Sequence, residues 1–473
     1  MKIIHISAEC YPAAKAGGLA DVVGSLPKYQ KLLKNTTSVI MPHYYTKFRD
    51  ENEFKPIFKG IARLGSINYD FHYQIFKLIS PELGFDILSI DIPSLFDRPN
   101  IYSYPDDTER FITFQIAALN YINSLKTLPD LIHCHDQHTG FIPFLMTNVG
   151  TYDKLKDIPT VFTIHNGQYQ GQFGFDKAYF LPPFHSFYSG KIEWAGLINP
   201  LAAAIKCAWK VTTVSPSYMD EIGYSMNGLE KLLQYEKGKS TGILNGIDTH
   251  VWNPETDEML KRKYSIDSLE AGKTANKKWL CHEFNLDPSK PLFTFIGRLV
   301  GEKGADLLPA AIYNIMQSHP GEQNILILGS GEKHIEQALW DLEPLFKGNY
   351  CSYIGYNEVL SHIIYAGADF LLMPSRVEPC GLNQLYALRY GTIPVVRRTG
   401  GLKDTVIDIG DSGFGICHNE SSEWDIRYSI GRAKELFNNK KIFKETRKLI
   451  MQIDHSWKRA ASEYIELYKS LKQ

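Results

Sequence analysis

The sequence predicts an α/β protein made of two doubly wound, Rossmann-like domains that face each other across a cleft. Short apolar runs that end in polar or glycine-rich turns alternate with segments of helical periodicity, which is typical of parallel sheets covered by helices. This alternation stops in a polar stretch that begins near Gly242, and it starts again at Leu292. The 473 residues, of which 44% are hydrophobic and 22% charged, suffice for more than one domain with a full core.

Each predicted domain carries a series of runs with the pattern of buried strands. In the first half they lie at residues 2–7, 131–134, 160–164 and 211–214. In the second half they lie at residues 292–296, 325–328, 370–373 and 393–396. We therefore predict one domain over residues 1–245 and another over residues 246–456, followed by an amphipathic last helix. Because ligands bind beyond the carboxyl ends of strands in such sheets, the polar residues after each run form the candidate site.

The charge balance and the cysteines predict a cytoplasmic protein. A formal net charge of −1 gives no global field that would attract nucleic acid or an anionic membrane, and it is compatible with a neutral polymer as substrate. No apolar run reaches the length of a membrane span, and the N-terminus lacks the pattern of a signal peptide. The seven scattered cysteines favour reduced thiols in a reducing compartment.

Lys15, Gly17 and Gly18 form the first candidate group, in the loop before the first helical pattern. Two glycines before a helix let backbone N–H groups approach a phosphate, and the helix dipole favours the anion. Lys15 adds a mobile positive charge. The loop lacks the G-x-G-x-x-G spacing of a dinucleotide site, so the alternative is a tight turn with a solvated lysine.

Arg298 and Lys303 form the second group, five residues apart between a strand and a helix. Both side chains reach one diphosphate from such positions. Fixed cations stabilise the negative charge that develops on a leaving nucleoside diphosphate, and they do so without a metal. The alternative is a basic loop on the surface.

The third group follows the run at residues 370–373 and is centred on Glu378. A carboxylate between a strand and a helix accepts sugar hydroxyl groups or stabilises an oxocarbenium-like centre. The helix that starts at Gly381-Leu382 offers backbone donors to a phosphate, as does the loop at Thr399-Gly400-Gly401. The alternative is that Glu378 only complements the helix dipole.

Three histidines and an aspartate lie within six residues, at His133, His135, Asp136 and His138. Their spacing approaches a run found in metal-dependent hydrolases, although the aspartate is displaced by one position. A hydrolase with these four ligands is therefore an alternative function. The simpler interpretation is a set of hydrogen-bonded side chains at the end of a strand.

Two further polar positions complete the candidate site. His165 follows another strand and is placed to hydrogen-bond a sugar hydroxyl group or the departing phosphate. Asn245 lies at the predicted domain junction, where the Asn-Gly pair favours a hinge turn and where the side chain is also expected to line the cleft.

These motifs, in their order along the chain, resemble those of bacterial glycogen synthases and plant starch synthases. They are Lys-x-Gly-Gly-Leu-Ala-Asp from residue 15, His-Asp-x-His from residue 135, Thr-x-His-Asn from residue 163, Asn-Gly-Ile-Asp from residue 245, Gly-Arg-Leu-x-x-x-Lys-Gly from residue 297 and the stretch over residues 374–404. The resemblance implies the GT-B fold, with the final helix, residues 457–473, crossing back to the first domain. It implies retaining transfer of glucose from ADP-glucose to the non-reducing 4-hydroxyl group of an α-1,4-glucan, with no metal and no cofactor.

The resemblance also implies a role for each matching residue. Lys15 approaches the donor diphosphate together with Gly17 and Gly18. Arg298 and Lys303 neutralise the diphosphate as it leaves. The residues expected around the transferred glucose are Asp136, His165, Asn245 and Glu378. Those expected at the adjoining turn or near the nucleotide are Cys380, Gly381, Leu382, Thr399 and Gly400.

Three positions depart from the family pattern. Gln137 stands where tryptophan is usual, Gly167-Gln168 where Leu-Ala is common, and Glu302 where glutamine is frequent. The first two fall on the sugar side of the site and leave the length and identity of the acceptor open. The other open functions are a GT-B transferase that uses UDP-glucose or another acceptor, and a carbohydrate-binding homologue with weak catalysis.

Overall fold

The chain divides into two units between Asn245 and Gly246. The structure is a computed structural model that describes residues 1–67 and 69–472. Unit 1 comprises Met1–Asn245 together with the stretch that starts at Trp457, and unit 2 comprises Gly246–Ser456. Within the described part of the chain, no helix combines the length and the apolar character that a bilayer crossing requires.

The strands, numbered in chain order, alternate with helices in both units. Their bounds are β1 (Lys2–Ile6), β2 (Thr36–Pro42), β3 (Phe54–Arg63), β4 (Asp70–Leu78), β5 (Asp86–Asp91), β6 (Leu131–His135), β7 (Thr160–Ile164), β8 (Glu193–Trp194), β9 (Leu197–Ile198), β10 (Lys210–Thr213), β11 (Ser240–Gly242), β12 (Leu292–Ile296), β13 (Asn324–Gly329), β14 (Tyr350–Ile354), β15 (Phe370–Met373), β16 (Ile393–Arg397) and β17 (Ile416–His418).

The helices are numbered in the same way. Their bounds are α1 (Gly18–Leu32), α2 (Lys47–Glu51), α3 (Asp107–Ser124), α4 (Ile142–Asn148), α5 (Pro200–Cys207), α6 (Pro216–Ile222), α7 (Glu230–Tyr235), α8 (Leu269–Glu283), α9 (Leu308–Ser318), α10 (Lys333–Trp340), α11 (Glu358–Gly367), α12 (Asn383–Arg389), α13 (Gly400–Thr405), α14 (Glu423–Asn438), α15 (Lys440–Gln452) and α16 (Trp457–Ser470).

Unit 1 is built on a sheet of order β11-β10-β7-β6-β1-β2-β5-β4-β3. Strands β3, β4 and β5 pair antiparallel with one another, and the other neighbours are parallel. From β1 the chain passes to β2, continues to the edge strand β3, and returns through β4 to β5 beside β2. It then crosses to the other side of β1 for β6. The direction of winding therefore reverses between β1 and β6.

Unit 2 is built on an all-parallel sheet of order β14-β13-β12-β15-β16-β17. This is the order of a doubly wound nucleotide-binding sheet, and its winding reverses between β12 and β15. The prediction of two doubly wound, Rossmann-like α/β sheets is therefore confirmed.

Burial explains why several strands appear in the sequence as continuous apolar runs. Strands β6, β7, β13 and β15 are buried at every position, as parallel strands covered on both faces must be. The glycine-rich turn after β12 requires a residue without a Cβ. At Gly304, where φ is +68°, a Cβ would lie 2.2 Å from the carbonyl oxygen of Pro374.

Helix α16 packs on unit 1 through an aromatic face. Trp457, Tyr464 and Tyr468 are each at most 1% exposed. They join a buried cluster that includes Leu26 of α1 and Leu131 of β6. Burial of a large aromatic side chain contributes several kcal/mol, so this face holds the C-terminal helix on the sheet of unit 1.

We predict that Trp457→Ala lowers the free energy of unfolding by about 3–5 kcal/mol, because it leaves a cavity under α16. Urea-induced unfolding followed by circular dichroism measures the change. The matched control is Arg459→Ala on the same helix, where the side chain is 75% exposed and forms an ion pair with Glu463. Its effect should stay below about 1 kcal/mol. Equal effects of the two substitutions would contradict the packing of this face.

Candidate functional site

In unit 1, the residues singled out by sequence lie at the carboxyl ends of strands. Lys15 and Gly17 lie in the loop after β1, and Gly18 is the first residue of α1. Asp136 follows β6 directly, and His165 follows β7 directly. Two of these segments follow β1 and β6, the neighbouring strands between which the direction of winding reverses. In doubly wound sheets that reversal opens the crevice in which ligands bind. We call Lys15, Gly17, Gly18, Asp136, His165 and Asn245 the N-terminal group.

A buried carboxylate shapes the glycine loop. Oε2 of Glu9 accepts the N–H groups of Ala16 at 2.5 Å and Gly17 at 3.0 Å, and Oε1 accepts the Tyr102 hydroxyl at 2.6 Å. Burial raises the pKa of Glu9, and these hydrogen bonds oppose that effect. The Gly17 N–H is therefore bound to Glu9. The N–H of Gly18, at the first position of α1, is one that a helix leaves without an intrahelical partner.

The sequence reasoning did not single out Glu9. A signal was present, because Glu9 stands three residues after a buried strand at the edge where ligands bind. Lys15, in contrast, was singled out, and its Nζ lies 2.8 Å from Oδ1 of Asp21. That ion pair is partly exposed, so it contributes little to stability and leaves the ammonium group able to meet an incoming anion.

Asp136 occupies a strained backbone conformation. Its φ is +56° and its ψ is 175°, a region that residues with a Cβ rarely adopt. Its Oδ1 accepts the backbone N–H groups of His165 at 2.7 Å and Asn166 at 3.4 Å, which holds the strained turn in place. The surrounding protein shields the carboxyl group from water, and this raises its pKa to about 7, with a further contribution from the nearby charge of Glu9.

A chain of hydrogen bonds runs from His165 into the core. His165 Nε2 lies 3.0 Å from His135 Nδ1, His135 Nε2 lies 3.0 Å from His5 Nδ1, and His5 Nε2 lies 2.8 Å from Gln30 Oε1. Burial lowers the pKa of His5 to about 4 and that of His165 to about 3, so these rings are neutral at pH 7. A neutral imidazole has one N–H donor and one acceptor nitrogen.

The direction of this chain follows from its last member. Oε1 of Gln30 only accepts, so Nε2 of His5 donates and Nδ1 of His5 accepts. By the same reasoning, Nε2 of His135 donates to Nδ1 of His5, and Nδ1 of His135 accepts from Nε2 of His165. Nε2 of His165 therefore carries the proton. Nδ1 of His165 is therefore an acceptor, and it has no hydrogen-bond partner among the described residues. His165 is 8% exposed. The core thus fixes which nitrogen His165 offers to a ligand.

The chain continues to the C-terminal helix and returns to the sheet. Nε2 of Gln30 donates to the Tyr468 hydroxyl at 3.1 Å, which in turn lies 2.7 Å from Nδ1 of His133. His133 Nε2 lies 2.6 Å from the hydroxyl of Thr163. Tyr468 therefore links α16 to helix α1 and to strand β6 through buried polar contacts, each of which satisfies a group that would be costly to leave unpaired.

This geometry does not support the metal-dependent hydrolase. The ring nitrogens of His5, His133 and His135 lie within 4.8 Å of one another, but each is engaged in the hydrogen bonds just described. Asp136 turns its carboxylate to backbone N–H groups, and the His138 ring stacks on Tyr102 with centroids 4.6 Å apart. In the described part of the chain, the four ligands expected from the sequence are not gathered around one point.

The remaining positions of unit 1 surround this arrangement. Asn245 is 5% exposed, and its Oδ1 is buried without a hydrogen-bond partner in the described residues. Gly167-Gln168, which departs from the family pattern, follows β7 and is held by hydrogen bonds. The Gly167 N–H donates to the Tyr218 hydroxyl at 2.9 Å, and Gln168 Oε1 accepts from Asn227 at 2.9 Å.

In unit 2, the predicted residues lie beside the reversal point between β12 and β15. We call Arg298, Lys303, Glu378, Cys380, Gly381, Leu382, Thr399 and Gly400 the C-terminal group. Lys303 follows β12 and Glu378 follows β15, 75 residues apart in the chain, and Lys303 Nζ lies 2.7 Å from Glu378 Oε1. The hydroxyl of Ser375 donates to the other Glu378 oxygen at 2.9 Å. The sequence predicted these groups separately, and the structure joins them.

Arg298 is held less firmly. Its guanidinium lies 3.4 Å from Glu302, and half of its side chain is exposed. An exposed ion pair of this kind contributes about 0–1 kcal/mol, so an anionic ligand is able to displace the carboxylate. Glu302 also lies 3.9 Å from Lys303, which places this departure from the family pattern next to both cations.

Two turns of the C-terminal group are packed directly on each other. A Cβ on Gly400 would lie 2.1 Å from the carbonyl oxygen of Glu378, and one on Gly401 would lie 2.1 Å from that of Cys380. The Gly401 N–H also donates to the Glu378 carbonyl at 3.1 Å. Gly381 has a φ of +71°, which favours glycine. The glycines therefore allow the ends of β15 and β16 to approach within hydrogen-bond distance.

Two family models match the chain. One, described as the starch synthase catalytic domain, matches residues 2–235. The other, described as glycosyl transferases group 1, matches residues 281–427.

Curated relatives match over the full length. A glycogen synthase of Flavobacterium johnsoniae is 56% identical over 473 residues, which covers 100% of both chains. A glycogen synthase of Geobacillus stearothermophilus is 36% identical, with 100% of this chain and 98% of the relative covered.

Solved structures match as well. The catalytic domain of starch synthase IV from Arabidopsis thaliana, bound to ADP and acarbose, has a TM-score of 0.92 at 31% identity, with 100% of this chain and 99% of that chain covered. Sucrose-phosphate synthase from Thermosynechococcus elongatus has a TM-score of 0.64 at 16% identity, with 99% and 98% covered, and bears on the fold alone. These likenesses confirm the predicted GT-B fold.

We predict that Tyr468→Phe lowers the free energy of unfolding by about 1–3 kcal/mol, because it leaves buried groups of Gln30 and His133 unpaired. Urea-induced unfolding measures the loss. Tyr224→Phe removes a hydroxyl group from a side chain that is 83% exposed, and its effect should stay within about 0.5 kcal/mol. If the two variants were equally stable, the hydrogen-bond chain through Tyr468 would not exist as described.

Asp136 makes a pH-dependent contribution to stability. Its pKa rises from 3.8 to about 7 on folding, so its stabilising contribution is complete below about pH 4 and is lost as the pH rises through about 7. Asp136→Asn keeps an acceptor for the His165 N–H but does not ionise. Between about pH 5 and pH 8, the free energy of unfolding of the wild type should fall by about 2–3 kcal/mol relative to this variant, because the buried carboxyl group must ionise. Urea-induced unfolding at several pH values tests this, and a constant difference would refute the raised pKa.

Proposed function

Because the chain belongs to the glycogen and starch synthase family of glucosyltransferases, we propose that it transfers glucose from ADP-glucose to the non-reducing 4-hydroxyl group of an α-1,4-glucan with retention of configuration. The observation that carries the proposal is the set of paired charges at the reversal point of unit 2. Lys303 and Arg298 stand at the end of β12, and Glu378 stands beside them at the end of β15. This is the edge at which doubly wound sheets bind nucleotides.

The C-terminal group binds the diphosphate of the donor. The ammonium group of Lys303 has three N–H donors, of which one is used by Glu378, so two remain for phosphate oxygens. Arg298 exchanges its weak contact with Glu302 for the diphosphate. As the bond to glucose breaks, negative charge grows on the leaving diphosphate, and these cations stabilise it. Cys380, Gly381, Leu382, Thr399 and Gly400 form the adjoining backbone turns.

The N-terminal group holds the sugar and the acceptor. Nδ1 of His165 accepts a hydrogen bond from a sugar hydroxyl group, because the buried chain places the proton on Nε2. The carboxylate of Asp136 accepts the N–H of Asn166. In the trans peptide between His165 and Asn166, the carbonyl group of His165 points in the direction opposite to that N–H. Asp136 therefore orients the His165 carbonyl, which stabilises the positive charge on the reacting carbon. Lys15, Gly18 and Asn245 contact the donor from this unit.

The nature of the donor is supported by the relatives. The starch synthase IV structure is bound to ADP and acarbose. We propose the same pair of chemistries here, a nucleotide sugar and an α-glucan, with neither nucleic acid nor membrane as a partner. We also propose a cytoplasmic location, supported by the lack of a disulfide bond between cysteines of the described residues.

We predict that Lys303→Ala lowers kcat by about 10²–10³-fold, because one cation at the leaving diphosphate is lost. The assay measures glucose incorporation into a glycogen primer, with ADP-glucose and UDP-glucose compared as donors, and we expect ADP-glucose to give the higher kcat/KM. Lys347→Ala, at an exposed lysine before β14, is the control and should keep full activity. Unchanged transfer by Lys303→Ala would reject the assignment of this group, and preference for UDP-glucose would reject the donor.

A further inference from the structure

Unit 2 contains a charged pocket at the end of its sheet opposite the C-terminal group. The pocket has a volume of about 300 Å³. It lies at the amino ends of the strands, because Asp369 in its wall precedes β15 and accepts the N–H of Leu292, the first residue of β12, at 2.9 Å. Arg298 and Glu378 follow the carboxyl ends of the same strands. The five residues of β12 separate its two ends by about 15 Å.

Two helices supply the walls with side chains at helical spacing. The face of α8 presents Glu270, Lys273 and Lys277, and the face of α15 presents Lys440, Lys444 and Arg447. The other lining residues are Thr274, Lys278, Pro288, Asp369, Phe437 and Phe443. Each series follows the i, i+3, i+4, i+7 pattern, so the charged groups of each helix project to the same side.

The charges in this pocket are not balanced. Six cationic side chains face two carboxylates, Glu270 and Asp369. Both carboxylates are already engaged. Asp369 lies 2.7 Å from Lys277 and 3.5 Å from Arg447, and Glu270 lies 3.8 Å from Arg447.

The other cations have no such partners. Within the described residues, Lys278, Lys440 and Lys444 have no carboxylate within ion-pair distance, and the charge of Asp369 acts on Lys440 only from farther away. Lys273 is 1% exposed and donates only to neutral oxygens, those of Tyr365, Tyr390 and Thr392. Burial lowers the pKa of Lys273 and of Lys440, and the charge of Arg447 acts in the same direction on both. A bound anion would relieve this excess of positive charge.

Aromatic rings orient two of the cations before any ligand arrives. The ammonium group of Lys440 lies 3.5 Å from the centre of the Phe437 ring, and the guanidinium of Arg447 lies 4.7 Å from that of Phe443. Such contacts restrict otherwise mobile side chains, which reduces the entropic cost of binding. The volume is at the lower end of the range for small-molecule sites and excludes a polymer from the interior.

We propose that this pocket, bounded by α8 and α15, is a second anion site that binds a small molecule through a phosphate or pyrophosphate group. Lys440 and Lys444 are its exposed phosphate contacts, and Lys277 with Arg447 forms its charged floor. The site does not depend on the proposed glucosyl transfer, because it shares no residue with the C-terminal group.

Isothermal titration calorimetry of the full chain tests the site, with inorganic phosphate, inorganic pyrophosphate and a hexose monophosphate as probes and ADP present in excess to occupy the nucleotide site. We expect at least one probe to bind, with an affinity that falls as salt concentration rises. Tighter binding of the hexose monophosphate than of phosphate would identify a phosphorylated metabolite as the ligand. Equal binding of these two, or tighter binding of pyrophosphate, would identify the inorganic anion.

Matched variants separate this pocket from the rest of the surface. Lys440→Ala combined with Lys444→Ala should weaken binding by roughly tenfold or more, since each removes a charged hydrogen-bond donor. Lys448→Ala, one turn further along α15 and outside the pocket, should bind like the wild type, and so should Lys303→Ala. Lys440→Gln with Lys444→Gln is the second variant if the alanine pair does not fold. Absence of binding by every probe, or equal binding by the double variant and Lys448→Ala, would overturn the proposal.

Discussion

The reversal of winding in each sheet is the constraint on which the functional arrangement depends. The connections that follow β1 and β6 leave the sheet of unit 1 in opposite directions, and those that follow β12 and β15 do the same in unit 2. No crossing helix covers the carboxyl ends of these strands, so polar side chains there reach a ligand. Glu9 and Asp136 follow the first pair of strands, and Lys303 and Glu378 follow the second. Lys303 and Glu378, 75 residues apart in the chain, are thereby brought within hydrogen-bond distance of each other.

The buried histidines His5, His133, His135 and His165 of unit 1 are tolerated because they form one connected chain of hydrogen bonds. An imidazole buried without a partner would cost a few kcal/mol, but each ring from His165 to His133 bonds to the next group in line. The chain has a functional consequence beyond stability, because its direction sets the tautomer of His165. It also makes Tyr468 of the C-terminal helix part of the same unit as the strand ends. The strained backbone of Asp136 is held by the same kind of compensation, with two backbone N–H groups on its carboxylate.

The two ends of the unit 2 sheet differ in how their charges are balanced. At the carboxyl ends, Lys303 and Arg298 each face a carboxylate, so a diphosphate binds by joining or replacing an existing pair. At the amino ends, the available carboxylates are consumed by Lys277 and Arg447, and the surrounding lysines keep their excess charge. A protein with a formal net charge of −1 therefore carries paired cations at one end of this sheet and an excess of basic side chains at the other.

The sequence by itself determined the features that local patterns encode. Apolar runs marked strands such as β6, β7, β13 and β15, and glycines and cations after those runs marked the candidate site. The tertiary structure alone decided which partners these residues have. The Gly17 N–H binds Glu9, and Lys303 pairs with Glu378, which is 75 residues away in the chain. The histidines that resemble a metal motif belong instead to a chain of hydrogen bonds that includes His5 and Tyr468. The physical reason is that periodicity and turn chemistry act over a few residues, whereas a buried polar group is satisfied by whichever group the packing of distant elements brings within 3 Å.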